Sequence, residues 1–72
     1  MAHERIARDP AIMLGKPVIR GTRVTVELIL RKLGEGLSPS EILADHPHLS
    51  LSDIQAAQAF AADSVAGEEI LR

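Results

Sequence analysis

Pro10, Gly15, Pro17 and Gly21 fall so close together that no helix can run through the first third of this 72-residue chain. Proline removes a backbone donor and clashes with the preceding helical turn, and glycine loses the most backbone entropy when a helix fixes it. The apolar pieces between these breakers are Ala11 to Leu14, Val18-Ile19 and Val24 to Val26. Their β-branched content favours extended chain. Residues 1–24 are therefore expected to form an extended or hairpin-like arm, with turns near Gly15-Lys16 and Arg20-Gly21.

Helical periodicity begins where the breakers end. Val26, Ile29, Leu30 and Leu33 share one face of a helix expected over about residues 25–34. Thr25 caps its start, Gly34 suits a left-handed residue just past its end, and Arg31 and Lys32 complement its dipole. Ser38-Pro39-Ser40-Glu41 is a capping box that opens a second, short helix. Pro47 stops that helix at or before His46. Ser50 with Asp53 repeats the box, and Ser52 with Gln55 is a rival start. Leu51, Ile54, Ala57, Ala61 and Val65 then form the apolar stripe of a third helix, thickened by Phe60, that Gly67 is expected to end near Ala66. The fold expected is a single domain over 1–72, mainly α: a tri-helical, helix-turn-helix (homeodomain-like) body over 25–66, a short extended or β arm over 1–24 and a short tail over 67–72.

A core built by so short a chain is small, because a domain of this size buries only about 60% of its unfolded surface. No cysteine is present and Phe60 is the one aromatic residue, so the core has to be aliphatic, without disulfide or cysteine-ligated zinc. The charged start, MAHERIARDP, does not read as a signal peptide, and no apolar run reaches the roughly 20 residues of a membrane span. A cytoplasmic protein without membrane contact is expected. His46-Pro47-His48 supplies too few ligands for a metal, so neither metal nor cofactor is expected. There is little room for a concave catalytic site, and the chain is not expected to be an enzyme.

Charge is segregated along the sequence. Arg5, Arg8, Lys16, Arg20, Arg23, Arg31 and Lys32 face only Glu4, Asp9 and Glu27 in the first 32 positions, a net of +4. After that Arg72 alone opposes Glu35, Glu41, Asp45, Asp53, Asp63, Glu68 and Glu69, a net of −6. Such polarity suggests that the two halves meet different partners. Any DNA contact would come from Lys16, Arg20, Thr22 and Arg23, with Arg31-Lys32 beside them and Gln55 reaching a base edge. In Gly21-Thr22-Arg23 the glycine permits a tight turn and Thr22 bonds within it. Arg20 and Arg23 would then clamp phosphate or a partner's carboxylate, or else pair with Asp9 or Glu27 as part of a structural turn. The third helix is an awkward recognition helix, because it has no lysine or arginine and carries Asp53 and Asp63. Short strands with unpaired edges, on a small core, also lead us to expect a homodimer.

The run GKPVIRGTRVTV, residues 15–26, closely resembles the signature of the domain-of-unknown-function family 433, members of which are regarded as VapB-type antitoxins. The resemblance extends through Asp9-Pro10, Gly36, Ser38, Glu41-Ile42-Leu43, Pro47, Leu49, Leu51, Asp53-Ile54, Ala56-Ala57 and Ala59-Phe60-Ala61. It implies a helix-turn-helix fold, frequent coupling to a PIN-like nuclease toxin, and no cofactor or reaction. Leu14 departs from it, standing where a second glycine is common, and Gln58 stands where an apolar residue is usual. The function expected is that of an antitoxin in a type II toxin–antitoxin pair. It would neutralise its toxin by direct binding, with the acidic carboxyl half against a basic RNA-binding surface, and could regulate itself through operator DNA. The rivals are a stand-alone helix-turn-helix regulator and a protein-only interaction module.

Overall fold

The computed structural model describes residues 3–70, with side chains as far as Gly67. Two short strands, β1 (Ile6–Ala7) and β2 (Val18–Ile19), pair antiparallel, with Ile6 opposite Ile19 and Ala7 opposite Val18. The far edge of β2 is occupied too: the Ile19 amide donates to the Val24 carbonyl at 2.9 Å, and Val18 bridges Thr25. Ile6, Val18, Ile19 and Val24 are all buried. The described part of the expected arm is therefore a wall of the core rather than a free extension (residues 1 and 2 lie outside the described residues). An aliphatic core this small cannot spare the β-branched residues of the amino-terminal third. The strand-edge argument for a dimer weakens accordingly.

Within Ala11 to Leu14, Ile12 is extended and bridges Asp9, but Met13 and Leu14 are not. Met13–Gly15 forms a single 3₁₀ turn in which φ is +48°, +58° and +82° in succession. Leu14 thus holds a left-handed conformation that glycine would take without strain. The second expected turn forms around Gly21, whose φ is +82°, with the Thr22 amide donating to the Ile19 carbonyl at 3.0 Å.

Three helices complete the domain: α1 (Val26–Gly34), α2 (Pro39–Asp45) and α3 (Leu51–Ile70). Their starts follow the expected caps. Thr25 Oγ1 accepts from the Leu28 amide at 3.0 Å. Ser38 and Glu41 exchange both bonds of the capping box, at 2.8 and 3.2 Å. Ser50 and Asp53 do the same at 2.9 and 3.3 Å, so Ser50 and not Ser52 opens α3. α2 ends at His46, before Pro47.

Two helix ends differ from expectation. Gly34 is the last residue of α1, and the left-handed cap is Gly36, at φ +99°. There the Leu37 amide donates to the Lys32 carbonyl at 3.1 Å and the Gly36 amide to the Leu33 carbonyl at 3.0 Å. This paired closure favours an apolar residue after the glycine, and Leu37, packed on the core, supplies it where Glu35 could not. Gly67, followed by Glu68, does not cap either, and α3 continues through it to Ile70. The expected tail is thus helical over 67–70, with 71 and 72 outside the described residues.

Ile29, Ile42 and Ile54 have no exposed surface and form the centre of the core, one from each helix. The stripe on α3 is only partly used: Ile54 and Ala57 are buried, whereas Leu51 and Val65 are 49% and 52% exposed. A 20-residue helix is about 30 Å long and outruns so small a body, and every described side chain from Ala62 to Gly67 is exposed. Two glycine substitutions separate left-handed from helical sites. Gly21→Ala should destabilise the fold by about 1 kcal/mol through φ alone, since a Cβ there meets nothing within 4 Å. Gly67→Ala, inside a helix, should leave stability equal or raise it by up to about 1 kcal/mol. Denaturant unfolding of both variants checks this.

Candidate functional site

The Gly21-Thr22-Arg23 turn splits its side chains between structure and solvent. Thr22 Oγ1 donates to the Ile19 carbonyl at 2.8 Å and accepts from the Val24 amide at 3.0 Å, so it is consumed by its own turn. Arg20 turns inward along β1, donating from Nε to the Glu4 carbonyl at 2.7 Å and from Nη2 to the Ile6 carbonyl at 3.2 Å. Arg20 therefore stitches the hairpin, and neither Asp9 nor Glu27 is its partner. Arg23 is different. It is exposed, and among the described residues it makes no hydrogen bond or ion pair. It borders a shallow groove of about 620 Å³ whose other lining residues are Ile12, Gly21, Thr22, Val24 and His48.

The remaining cations of the basic half are engaged by carboxylates of both halves, by backbone carbonyls or by a ring. Arg5 meets Asp53 at 3.0 Å, Lys32 meets Asp45 at 3.9 Å, and His3 Nε2 lies 2.8 Å from Asp63. The Arg8 guanidinium stands 5.6 Å from the centre of the Phe60 ring, within cation–π range. Lys16 and Arg31 both bond Glu27, at 3.0 and 3.1 Å, and these bonds hold the Glu27 carboxyl below its usual range. Polarity that is pronounced along the chain is thus reduced in space where Arg5 meets Asp53 and Lys32 meets Asp45.

Asp53 is the most deeply placed of these charges, with a side chain 12% exposed. Burial pushes its carboxyl up, but the Ser50 amide, the Arg5 guanidinium and the Ser50 hydroxyl together outweigh burial and leave it below the usual 3.8. With Glu4, Arg5 and Arg20 it lines a small polar recess.

A second groove, of about 530 Å³, runs between α1 and α3. Pro17, Val26, Leu30, Phe60 and Ala61 form its apolar walls, and Lys16, Glu27, Arg31 and Ser64 stand around them. The five residues singled out from sequence are therefore distributed. Lys16 borders the α1–α3 groove, Arg20 the polar recess, and Thr22 and Arg23 the Ile12–His48 groove, while Gln55 is exposed on α3. Gln58 is exposed as well and takes no part in the core. The α1–α3 groove was missed because its walls read as ordinary core positions. Leu14, 93% exposed, had a visible signal: an apolar residue where glycine is common. Among the described residues no group of three or more histidine, aspartate or glutamate side chains is placed to hold a metal, and no helix is long and apolar enough to cross a membrane.

The fold and these surfaces define a small helix-turn-helix-type domain whose amino-terminal hairpin is built into the core. A family profile described as "Protein of unknown function (DUF433)" matches residues 6–61, and the chain belongs to that family. The crystal structure of a DUF433 member protein from Anabaena variabilis is similar over 94% of this chain and 69% of that one, with 27% identity and a TM-score of 0.80. None of the curated proteins matches.

Asp53 makes the fold sensitive to acid in a definite direction. Its carboxyl is held below the unfolded value, so its contribution is complete above about pH 3.8 and is lost as pH falls through the folded value. Asp53→Asn should reduce stability near neutrality by about 1–2 kcal/mol, through the weakened cap and the lost Arg5 bond. The variant and the parent should converge once pH falls below the folded value of Asp53, and denaturant unfolding across pH 2.5–7 measures the gap.

Proposed function

We propose that this chain is the antitoxin subunit of a toxin–antitoxin pair and acts by protein contact, with Arg23 as its anchor. The observation that carries the mode of action is the fate of the cations: Arg23 is exposed and unpaired among the described residues, while the others are bonded to carboxylates or carbonyls or lie over a ring. Arg5, Lys16, Arg31 and Lys32 each carry a carboxylate beside them, which weakens the attraction of this surface for phosphate. A guanidinium with no partner, next to the apolar Ile12 and Val24, suits a carboxylate flanked by apolar side chains. An acidic-site nuclease offers such a carboxylate. The class of partner rests on the VapB-type resemblance, and the choice of contact rests on geometry.

The test is co-expression with the nuclease encoded by a neighbouring reading frame, followed by size-exclusion chromatography and a growth assay. The pair should co-elute and growth should be rescued. Arg23→Ala should weaken the complex at least tenfold while leaving thermal unfolding unchanged, because the side chain holds nothing in the fold. If intact protein fails to co-elute, the antitoxin reading by contact is wrong. If instead Arg23→Ala lowers the salt slope of operator binding by about one unit, with no toxin complex, the stand-alone regulator takes its place.

A further inference from the structure

We infer that a second copy of this chain docks on the α1–α3 groove, with Leu14 of each protomer entering the groove of the other. The inference starts from Leu14. It is 93% exposed and Met13 beside it is 42% exposed, on a turn with three successive positive φ values. A leucine held in a left-handed conformation and presented to solvent gains nothing inside its own protomer, and strain of this kind gathers where a surface binds. The turn is firmly built. The Ile12 amide donates to the Asp9 carbonyl at 2.8 Å, the Gly15 amide to Ile12 at 3.1 Å and the Lys16 amide to Met13 at 3.1 Å, while Asp9 Oδ1 accepts from the Ala11 amide at 2.9 Å. Leu14 is a preorganised anchor, with little ordering left to do on binding.

The matching recess lies on the same molecule. Lys16 and Pro17, which follow the turn directly, form one end of the α1–α3 groove, so the Leu14 Cα stands within about 7 Å of the Lys16 Cα. Leu14 nevertheless does not fold into that groove, since its surface is open. A groove of about 530 Å³ walled by Pro17, Val26, Leu30, Phe60 and Ala61 has room for Leu14 and Met13 of another copy. Charge agrees: Asp9, exposed at the base of the turn, would meet a rim where Lys16 and Arg31 outnumber Glu27. Knob and groove on neighbouring surfaces are what an isologous dimer requires, because one two-fold axis fills both grooves at once. Two such contacts are small beside the roughly 800 Å² per partner of a standard interface, a size class of weak, transient association, so the dimer is expected to depend on concentration.

Sedimentation equilibrium of the full chain from about 1 to 200 µM tests this. The unmodified protein should pass from monomer to dimer. Leu14→Asn removes the apolar knob but suits the left-handed turn, so it should weaken dimerisation at least tenfold with no fall in the monomer's thermal midpoint. Ala61→Glu obstructs the groove from its partly buried wall on α3 and should do the same. Mixing the two variants should restore part of the association, because the knob of one still fits the groove of the other. A monomer at every concentration, dimerisation unchanged by Leu14→Asn, or no gain on mixing would each overturn the proposal.

Discussion

One nearly buried carboxylate ties the two parts of this fold together. Asp53 closes the capping box that starts α3, and it receives the Arg5 guanidinium from the residue before β1. The hairpin and the longest helix therefore share an anchor across 48 positions of sequence. Burial of such a charge is unfavourable unless its oxygens are bonded, and here both oxygens are. Once that anchor is fixed, β1 lies along α3, Arg8 and His3 reach Phe60, and Ile6 enters the core beside Ile54. The domain has no large aromatic core to compensate if this joint fails.

Folding also changes what the charges mean. A chain that is basic at one end and acidic at the other invites a reading with two partners of opposite sign. The fold brings the two ends together, and Arg5, Lys32 and His3 meet Asp53, Asp45 and Asp63. The more exposed pairs among them, Lys32–Asp45 and His3–Asp63, contribute little to stability, on the order of 0–1 kcal/mol each, but such pairs flatten the field that a nucleic acid would sense. What stands out on the surface afterwards is small: an arginine without a partner among the described residues, a strained leucine, and two apolar grooves.

Membership of a family described only as of unknown function leaves the chemistry to be argued from the site. Thr22 and Arg20, inside the most distinctive motif of the chain, have structural roles, bonding the turn and the hairpin. A motif can thus be distinctive because it builds a turn.

The sequence by itself determined the starts of α1 and α2, the end of α2 and the turn at Gly21, and it narrowed the start of α3 to Ser50 or Ser52. Each depends on a bond or a steric clash between residues no more than four apart, so residue identity at fixed spacing is sufficient. It also determined the aliphatic stripe that supplies Ile29, Ile42 and Ile54. Only the tertiary structure decided the rest. Gly36 rather than Gly34 caps α1 because Leu37 finds the core, and α3 passes through Gly67, which is followed by Glu68 rather than by an apolar residue that could close a cap. The amino-terminal third became a core wall because its valines and isoleucines had somewhere to be buried. The partners of Lys16, Arg20 and Arg5 were out of reach for the same reason. Contacts 11, 16 and 48 residues apart are set by how the elements pack, and no local pattern encodes that distance.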